Sequence, residues 1–190
     1  MNQQHYLLVN ILDASGSMSH LTHATVEGYN HYVQNQGKDG INLAYTVTFN
    51  TTNKVIRELS DIAHASIDTF DYRTGGGTAL YDAIGQTVQR IDQLLTSLTF
   101  DWKVIVNIIT DGEENASRHF SQADIQQLIK EHQEKGWLFM YAGAHEKAEQ
   151  EGTKINIPKE RIVKVRPDRG GIRTSYEAFN GASTMFKRGK

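Results

Sequence analysis

Two nearly continuous apolar runs, each ending next to an aspartate, constrain the fold of this chain most strongly. The first run covers residues 6–12 and is followed by Asp13, and the second covers residues 102–110 and is followed by Asp111. Short runs with little polar alternation are typical of strands that are covered on both faces, as in parallel sheets. The chain must therefore supply helices for both faces of such a sheet.

The rest of the chain alternates strand patterns with helical patterns. Further strands are predicted at residues 41–49, 54–59, 137–142 and 161–165, and helices at residues 20–35, 79–98, 121–136, 146–151 and 175–187. The tight turn at residues 50–53 joins two strands as an antiparallel hairpin. We predict an α/β fold with a mostly parallel six-stranded sheet and one antiparallel edge strand.

Length and composition describe a globular chain without thiol chemistry. The 190 residues, with no internal repeat or linker, predict one domain over residues 1–190. The absence of cysteine excludes disulfides, thiolate metal ligands and a cysteine nucleophile. The net charge of -2 makes nucleic acid an improbable partner. Without a secretion signal or an apolar run long enough to span a bilayer, we expect a cytoplasmic protein with no membrane contact.

Oxygen-bearing side chains follow three predicted elements at the points where functional groups gather in such folds. Asp13, Ser15 and Ser17 follow the first strand, Thr78 follows the glycines at 75–77, and Asp111 follows the second apolar run. The carboxyl ends of parallel strands meet at one edge of a sheet, so we expect these side chains to lie close together. Donor sets made only of oxygen select Mg²⁺, Mn²⁺ or Ca²⁺ over zinc.

This ordered set of motifs resembles the von Willebrand factor type A (vWA) domain with an intact metal-ion-dependent adhesion site. The resemblance is firm over residues 6–143, and the phrases at 76–84 and 110–115 are most similar to stand-alone bacterial and phage members. It implies a doubly wound, Rossmann-like sheet with helices on both faces. It also implies that Asp13, Ser15, Ser17, Thr78 and Asp111 hold one divalent cation, Mg²⁺ first, with Mn²⁺ or Ca²⁺ also suitable.

The resemblance also implies a function. A partner protein completes the coordination of the cation with an aspartate or glutamate, so the expected role is non-enzymatic, metal-dependent protein recognition. The similarity to bacterial and phage proteins places this role in the cytoplasm of a bacterial cell or a phage-infected host. The oligomeric state is left open.

Several residues next to the predicted ligands are expected to line the rim of the site, where a partner would make contact. They are Tyr72, Arg73, Gly77, Glu113 and Arg118. We expect the two arginines to help receive an acidic partner, because opposite charges attract across an interface.

Two alternative functions use the same sequence differently. Asp13 and Asp111 around a cation are also suited to activating water in a metal-dependent hydrolase. A nucleic-acid-associated module would instead use a basic C-terminal face. That face would contain Arg166, Arg169, Arg173, Lys187, Arg188 and Lys190.

Four polar residues near these motifs have more than one interpretation. Asn10 and Asn107 interrupt the two apolar runs, and buried amides need hydrogen-bond partners. The two side chains could bond each other, or they could bond the predicted metal loops. His20 and His23 have a spacing that could bind a transition metal, but no further ligand accompanies them, so we predict that they lie on a helix surface.

Overall fold

One six-stranded sheet organises the protein, as a computed structural model shows for residues 4–38, 43–144 and 146–189. Its strands are β1 (His5–Asp13), β2 (Leu43–Phe49), β3 (Asn53–Asp61), β4 (Trp102–Thr110), β5 (Leu138–Gly143) and β6 (Ile162–Lys164). The order across the sheet is β3-β2-β1-β4-β5-β6. The β2–β3 pair is antiparallel and every other pair is parallel, which confirms the predicted sheet. Residues 41–42, where the second strand was predicted to begin, lie outside the described residues.

Helices join the parallel strands and cover both faces of the sheet. They are α1 (Thr22–Lys38), α2 (Leu80–Leu95), α3 (Gln122–Glu134), α4 (Ala148–Lys154) and α5 (Arg169–Lys187). Short 3₁₀ turns lie at Gly16–Leu21, Ile62–His64 and Lys159–Arg161. Within the described ranges, none of these helices combines the length and apolar character that crossing a lipid bilayer requires.

The two faces of the sheet have separate apolar cores. On one face, α2 and α3 contribute residues such as Ile84, Val88 and Ile129, which are all fully buried. On the other face, α1 and α5 contribute residues such as Tyr29 and Phe179. Strands β1 and β4 lie in the middle of the sheet and supply side chains to both cores, which explains why their sequences lack polar alternation.

The last helix begins earlier than its periodicity predicted, at Arg169 instead of residue 175. Asp168 caps this helix, because its carboxylate accepts a hydrogen bond from the Gly171 N–H at 2.8 Å. Gly170 and Gly171 have low helix propensity, so the sequence did not predict a helix at this first turn. Gly171 is required there for space, since a Cβ at this position would lie 1.9 Å from the Arg166 carbonyl oxygen.

Asn10 and Asn107 lie side by side in the middle of the sheet, and both are buried. The Asn107 Nδ2 donates to Asn10 Oδ1 at 3.3 Å and to the Tyr32 hydroxyl at 3.0 Å. Asn10 Nδ2 in turn donates to Thr46 Oγ1 at 3.5 Å. The expectation that the two amides bond each other is confirmed, and their further contacts tie α1 to β1, β2 and β4.

The close contact between α1 and α5 leads to a stability prediction at Gly28. A Cβ on Gly28 would come within 2.5 Å of the buried ring of Tyr176. We expect Gly28→Ala to lower the free energy of unfolding by about 1–3 kcal/mol, because overpacking displaces the ring. Urea unfolding followed by circular dichroism measures this change.

Gly181 provides the matched control, since it lies inside α5 and a Cβ there would meet nothing within 4 Å. Gly181→Ala should raise the free energy of unfolding by about 0.5–1 kcal/mol through helix propensity alone. Equal stabilisation by both substitutions would show that the α1–α5 contact is looser than described.

Candidate metal centre

The loop after β1 and the glycine loop before α2 are joined by main-chain hydrogen bonds at the carboxyl edge of the sheet. Gly16 N–H donates to the Gly76 carbonyl at 3.0 Å, and Gly75 N–H donates to the Ala14 carbonyl at 2.8 Å. These two bonds run in opposite directions between the loops. They fix Ser15 and Ser17 relative to the residues that lead into Thr78.

The loop after β4 is tied to the same glycine loop at Thr78. Asn115 N–H donates to the Thr78 carbonyl at 3.0 Å, and Asn115 Oδ1 accepts from the Thr78 N–H at 2.9 Å. Gly76 has a φ of 74°, and a Cβ there would lie 2.7 Å from Thr51 Oγ1, so both conformation and space favour glycine. The three predicted loops therefore form one connected structure.

A chain of hydrogen bonds links four of the five predicted metal ligands. Asp13 Oδ1 accepts from the Ser15 N–H at 2.7 Å, and the hydroxyls of Ser15 and Ser17 lie 3.1 Å apart. Ser17 Oγ then donates to Asp111 Oδ1 at 2.6 Å. These side chains come from two different loops, so the structure brings them together as the sequence predicted.

The fifth predicted ligand, Thr78, reaches the same place beside Gly112. A Cβ on Gly112 would lie 3.1 Å from Thr78 Oγ1 and 3.9 Å from Ser17 Oγ. The two hydroxyls therefore flank one main-chain position next to Asp111. A side chain at residue 112 would press on Thr78, which gives a physical reason for the glycine.

Asp13 is a buried carboxylate without a cationic partner in the part of the chain that the structure describes. Its side chain is 0% exposed, and Thr110 Oγ1 donates to its second oxygen at 2.5 Å. Burial raises the pKa of Asp13 from 3.8 to about 6, and nearby Asp111 adds to this effect. Hydrogen bonds from Thr110 and Ser15 act in the opposite direction. A cation beside Asp13 would remove most of the cost of the buried charge.

The donor set fits a hard divalent cation. It consists of two carboxylates and three hydroxyls, with no nitrogen or sulfur. In the described ranges, no three histidine, aspartate or glutamate side chains form a metal-binding group, so a cation at this edge would depend on the hydroxyls as well. Ser17 is exposed whereas Asp13, Ser15 and Thr78 are buried, which leaves the site open to solvent on one side.

Tyr72 was predicted to line the rim of the site, and the structure corrects this prediction. Its side chain is only 1% exposed, and its hydroxyl donates to the Asp13 carbonyl oxygen. Burial raises the pKa of Tyr72 far above its ordinary value, so this hydroxyl keeps its proton. Tyr72 therefore supports the Asp13 loop from inside the protein and has no surface to offer a partner.

The other four predicted rim residues differ in exposure. Arg73, Glu113 and Arg118 are exposed, and Gly77 is half-buried. Glu113 forms an ion pair with Lys147, with 2.9 Å between Oε1 and Nζ, which connects the loops after β4 and β5. Contact between these residues and a partner stays a prediction.

Two acidic residues, Asp82 and Glu114, hold the loop after β4 in place. The sequence patterns did not predict this structural role. Asp82 accepts hydrogen bonds from three successive N–H groups of residues 118–120, at 2.8–2.9 Å. Burial alone would raise the pKa of Asp82, but these donors outweigh it and the pKa lies below its ordinary value. Glu114 accepts from the Tyr81 N–H at 2.9 Å and from the Ser117 hydroxyl at 2.7 Å. The position of Asp82 in the first turn of α2, where an acidic side chain is favourable, is the feature of the sequence that could have indicated its role.

His20 and His23 are both exposed, as predicted. His20 is nevertheless engaged, because its Nδ1 lies 2.8 Å from the Ser17 carbonyl oxygen and its Nε2 lies 3.2 Å from the Pro167 carbonyl oxygen. Its ring therefore bridges the Asp13 loop and the segment before α5.

Comparison with solved structures identifies the fold. The vWF domain of the type V pili tip protein Mfa5 from Porphyromonas gingivalis has a TM-score of 0.72 and 8% identity, with 97% of each chain covered. The pilus adhesin SpaC from Lactobacillus rhamnosus GG has a TM-score of 0.74 and 13% identity, covering 97% of this chain and 30% of that chain. The manganese-loaded Plasmodium vivax TRAP protein has a TM-score of 0.63 and 17% identity, covering 94% and 74%.

These similarities show a vWA-like fold, and at such low identity they show the fold alone. The chain spans less than half the length of several proteins that it matches. Comparison with protein-family models found no match, and comparison with curated protein sequences found none either.

The raised pKa of Asp13 gives a pH prediction for the metal-free protein. A folded-state pKa of about 6 against 3.8 stabilises the fold below pH 4, and this contribution is lost as the pH rises through 6. The loss should reach about 3 kcal/mol. Of this loss, about 1.4 kcal/mol falls between pH 5 and pH 7.5, and urea unfolding in EDTA at these two pH values should show it for the native chain and not for Asp13→Asn. A pH dependence that is the same in both proteins would contradict the assignment to Asp13.

Proposed function

We propose that the protein is a non-enzymatic interaction module that captures an acidic side chain of a partner protein through one bound divalent cation. The ligands are Asp13, Ser15, Ser17, Thr78 and Asp111, and Mg²⁺ is the first candidate, with Mn²⁺ and Ca²⁺ also compatible. The observation that carries the proposal is the buried Asp13 carboxylate, placed beside converging hydroxyls and lacking a protein cation in the described residues.

The balance of charged and neutral donors supports recognition as the function. Three of the five ligands are neutral hydroxyls, so a cation held here keeps much of its attraction for an outside carboxylate. Ser17 is exposed and Asp111 is half-buried, which gives such a carboxylate an approach from solvent. The buried ligands fix the position of the site while the exposed side receives the partner.

Two exposed arginines on the segments that carry the predicted ligands support an acidic partner. Arg73 and Arg118 are exposed, and neither side chain pairs with a carboxylate within the described ranges. Unpaired positive charges near a binding site attract an acidic partner and raise its association rate. This charge pattern matches a partner that offers aspartate or glutamate.

The hydrolase alternative has less support in the arrangement around the site. A hydrolase needs a base that can take a proton from the attacking water. Glu114, in the loop after β4, already accepts hydrogen bonds from Tyr81, Ala116 and Ser117. Glu113 is paired with Lys147. Both glutamates of the loop after β4 are therefore engaged in structural contacts.

The nucleic-acid alternative is weakened by charge pairing on the C-terminal face. Arg169 lies 3.6 Å from Glu27, and Arg173 lies 2.8 Å from Glu177. These acidic neighbours reduce the positive potential that phosphate binding requires. Lys190, which was included in this face, lies outside the described residues.

The setting of this function follows from the sequence motifs. We place it in the cytoplasm of a bacterial cell or a phage-infected host, and this location stays a prediction. SpaC is a pilus adhesin and Mfa5 is a pilus tip protein. The proposal takes from them the general role of recognition through a vWA-like domain, and neither their location nor their ligands.

Metal binding is the first test of the proposal. Isothermal titration with Mg²⁺ at pH 7.5 should give one site per native chain, and Asp13→Ala and Thr78→Ala should each weaken it at least tenfold. Ser19→Ala is the matched control, because Ser19 is an exposed serine two residues beyond Ser17 and is outside the donor set. Circular dichroism checks that each variant is folded.

Partner capture is the second part of the same test. Affinity purification from bacterial lysate should recover a partner with Mg²⁺ and lose it with EDTA, and the two weakened variants should recover none. A partner that stays bound in EDTA, or full Mg²⁺ affinity in Asp13→Ala, would contradict the proposal.

A further inference from the structure

The segment between β3 and the glycine loop is held firmly although it contains little regular structure. Asn30 on α1 bonds both main-chain groups of Ile67, donating from Nδ2 at 2.8 Å and accepting at Oδ1 at 2.8 Å. Arg57 on β3 forms an ion pair with Asp71 at 2.9 Å and donates to the Ser66 carbonyl at 3.1 Å. The segment is thus fixed from two sides by neighbouring elements.

A tight turn in this segment directs Phe70 into solvent. Asp68 Oδ1 accepts from the Phe70 N–H at 2.7 Å and from the Asp71 N–H at 2.9 Å, and Tyr72 N–H donates to the Asp68 carbonyl at 3.2 Å. The ring of Phe70 is 72% exposed, more than any other large apolar side chain in the described ranges. A well-ordered turn that exposes an aromatic ring is a feature expected of a contact surface.

Arg73 lies beside the exposed ring of Phe70, and the two side chains together form a surface that is both apolar and cationic. Its guanidinium lies 5.7 Å from the centre of the Phe70 ring, and its Nε donates to the Phe70 carbonyl at 3.3 Å. No carboxylate pairs with Arg73 in the described part of the chain. Contact with the ring holds the charge in place and leaves it available to an acidic group.

The Phe70–Arg73 pair is connected to the Asp13 loop through its neighbours in the chain. Tyr72, between the two residues in the chain, donates its hydroxyl to the Asp13 carbonyl. Gly75, two residues after Arg73, donates to the Ala14 carbonyl. Two residues extend at most about 7 Å, so Arg73 and the Asp13 loop belong to one local unit.

We infer that the Phe70–Arg73 pair is a specificity surface of the same site and recognises an apolar side chain next to a second acidic residue in the partner. The inference rests on the proposed function, because the partner's first carboxylate occupies the cation. The second carboxylate is matched to Arg73 by charge, and the apolar side chain covers Phe70. The recognised segment is therefore acidic with an apolar residue at a fixed distance from the metal-binding aspartate or glutamate.

A peptide selection tests this inference without a known partner. A random peptide library with one fixed aspartate is selected on immobilised native chain in Mg²⁺ and eluted with EDTA. The selected peptides should share an apolar residue and a second acidic residue at constant offsets. Phe70→Ser should bind the best peptide at least tenfold more weakly, and Arg73→Ser should lose the preference for the second acid, while Mg²⁺ affinity stays unchanged in both.

Phe100 provides the matched control for the loss of an exposed ring. It is 58% exposed and lies just before β4, at the opposite edge of the sheet from the metal loops. Phe100→Ser should select the same peptides as the native chain, with the same affinity. Equal peptide binding by Phe70→Ser and Phe100→Ser would overturn the inference and leave the proposed function intact.

Two further outcomes distinguish failure of the proposed function from failure of the inference alone. If the native chain selects no peptide in Mg²⁺ although it binds the ion, the proposed function fails and the inference fails with it. If sedimentation shows a native dimer that Phe70→Ser converts to a monomer, the ring is covered by a second copy of the chain, and the inference is wrong.

Discussion

The burial of the Asp13 carboxylate at the end of the central strand is the constraint on which the candidate site depends. β1 lies in the middle of the sheet, so its last residue is covered from both sides by loops that follow other strands. A carboxylate in such a place must be protonated, hydrogen-bonded or close to a cation. Thr110 and the Ser15 N–H supply hydrogen bonds, but the raised pKa shows that they do not fully offset burial. The unfavourable charge and the capacity to bind a cation therefore have the same origin.

The loops that surround Asp13 are ordered mainly by contacts with one another. Gly75 and Gly76 exchange main-chain hydrogen bonds with the Asp13 loop, and Asn115 closes the loop after β4 onto Thr78. These contacts involve only protein groups, so the loops themselves hold the donor atoms near each other. Binding then requires little further loss of conformational entropy, which favours affinity. The same rigidity makes neighbouring surfaces, such as the one around Phe70, suitable for selective contacts.

The sequence was sufficient to predict the sheet and the placement of the five oxygen donors, and the reason is geometric. Parallel strands with helical crossovers bring their carboxyl ends to one edge, so Asp13 and Asp111 had to be neighbours once β1 and β4 were recognised. The inward position of Tyr72 could not be predicted, because it depends on a hydrogen bond to a residue 59 positions away. The role of Asp82 depends likewise on N–H groups more than 35 positions along the chain.

The start of α5 shows a different limit of sequence patterns. Gly170 and Gly171 lower the helix propensity of the first turn, and periodicity alone therefore placed the start too late. The cap at Asp168 and the close approach of Arg166 to Gly171 outweigh that low propensity. Local capping contacts of this kind decide where the helix begins.

The hydrogen bond between Ser17 and Asp111 clarifies how hydroxyls and carboxylates divide their roles. A serine hydroxyl has one hydrogen to donate and two lone pairs to offer. By donating to Asp111 at 2.6 Å, Ser17 directs its hydrogen toward a carboxylate and leaves lone-pair capacity for a cation. Asp111 thus orients a neutral ligand as well as contributing negative charge. In the proposed function a cation would have more neutral than anionic ligands, which suits the reversible capture of an outside carboxylate better than the strong activation of water.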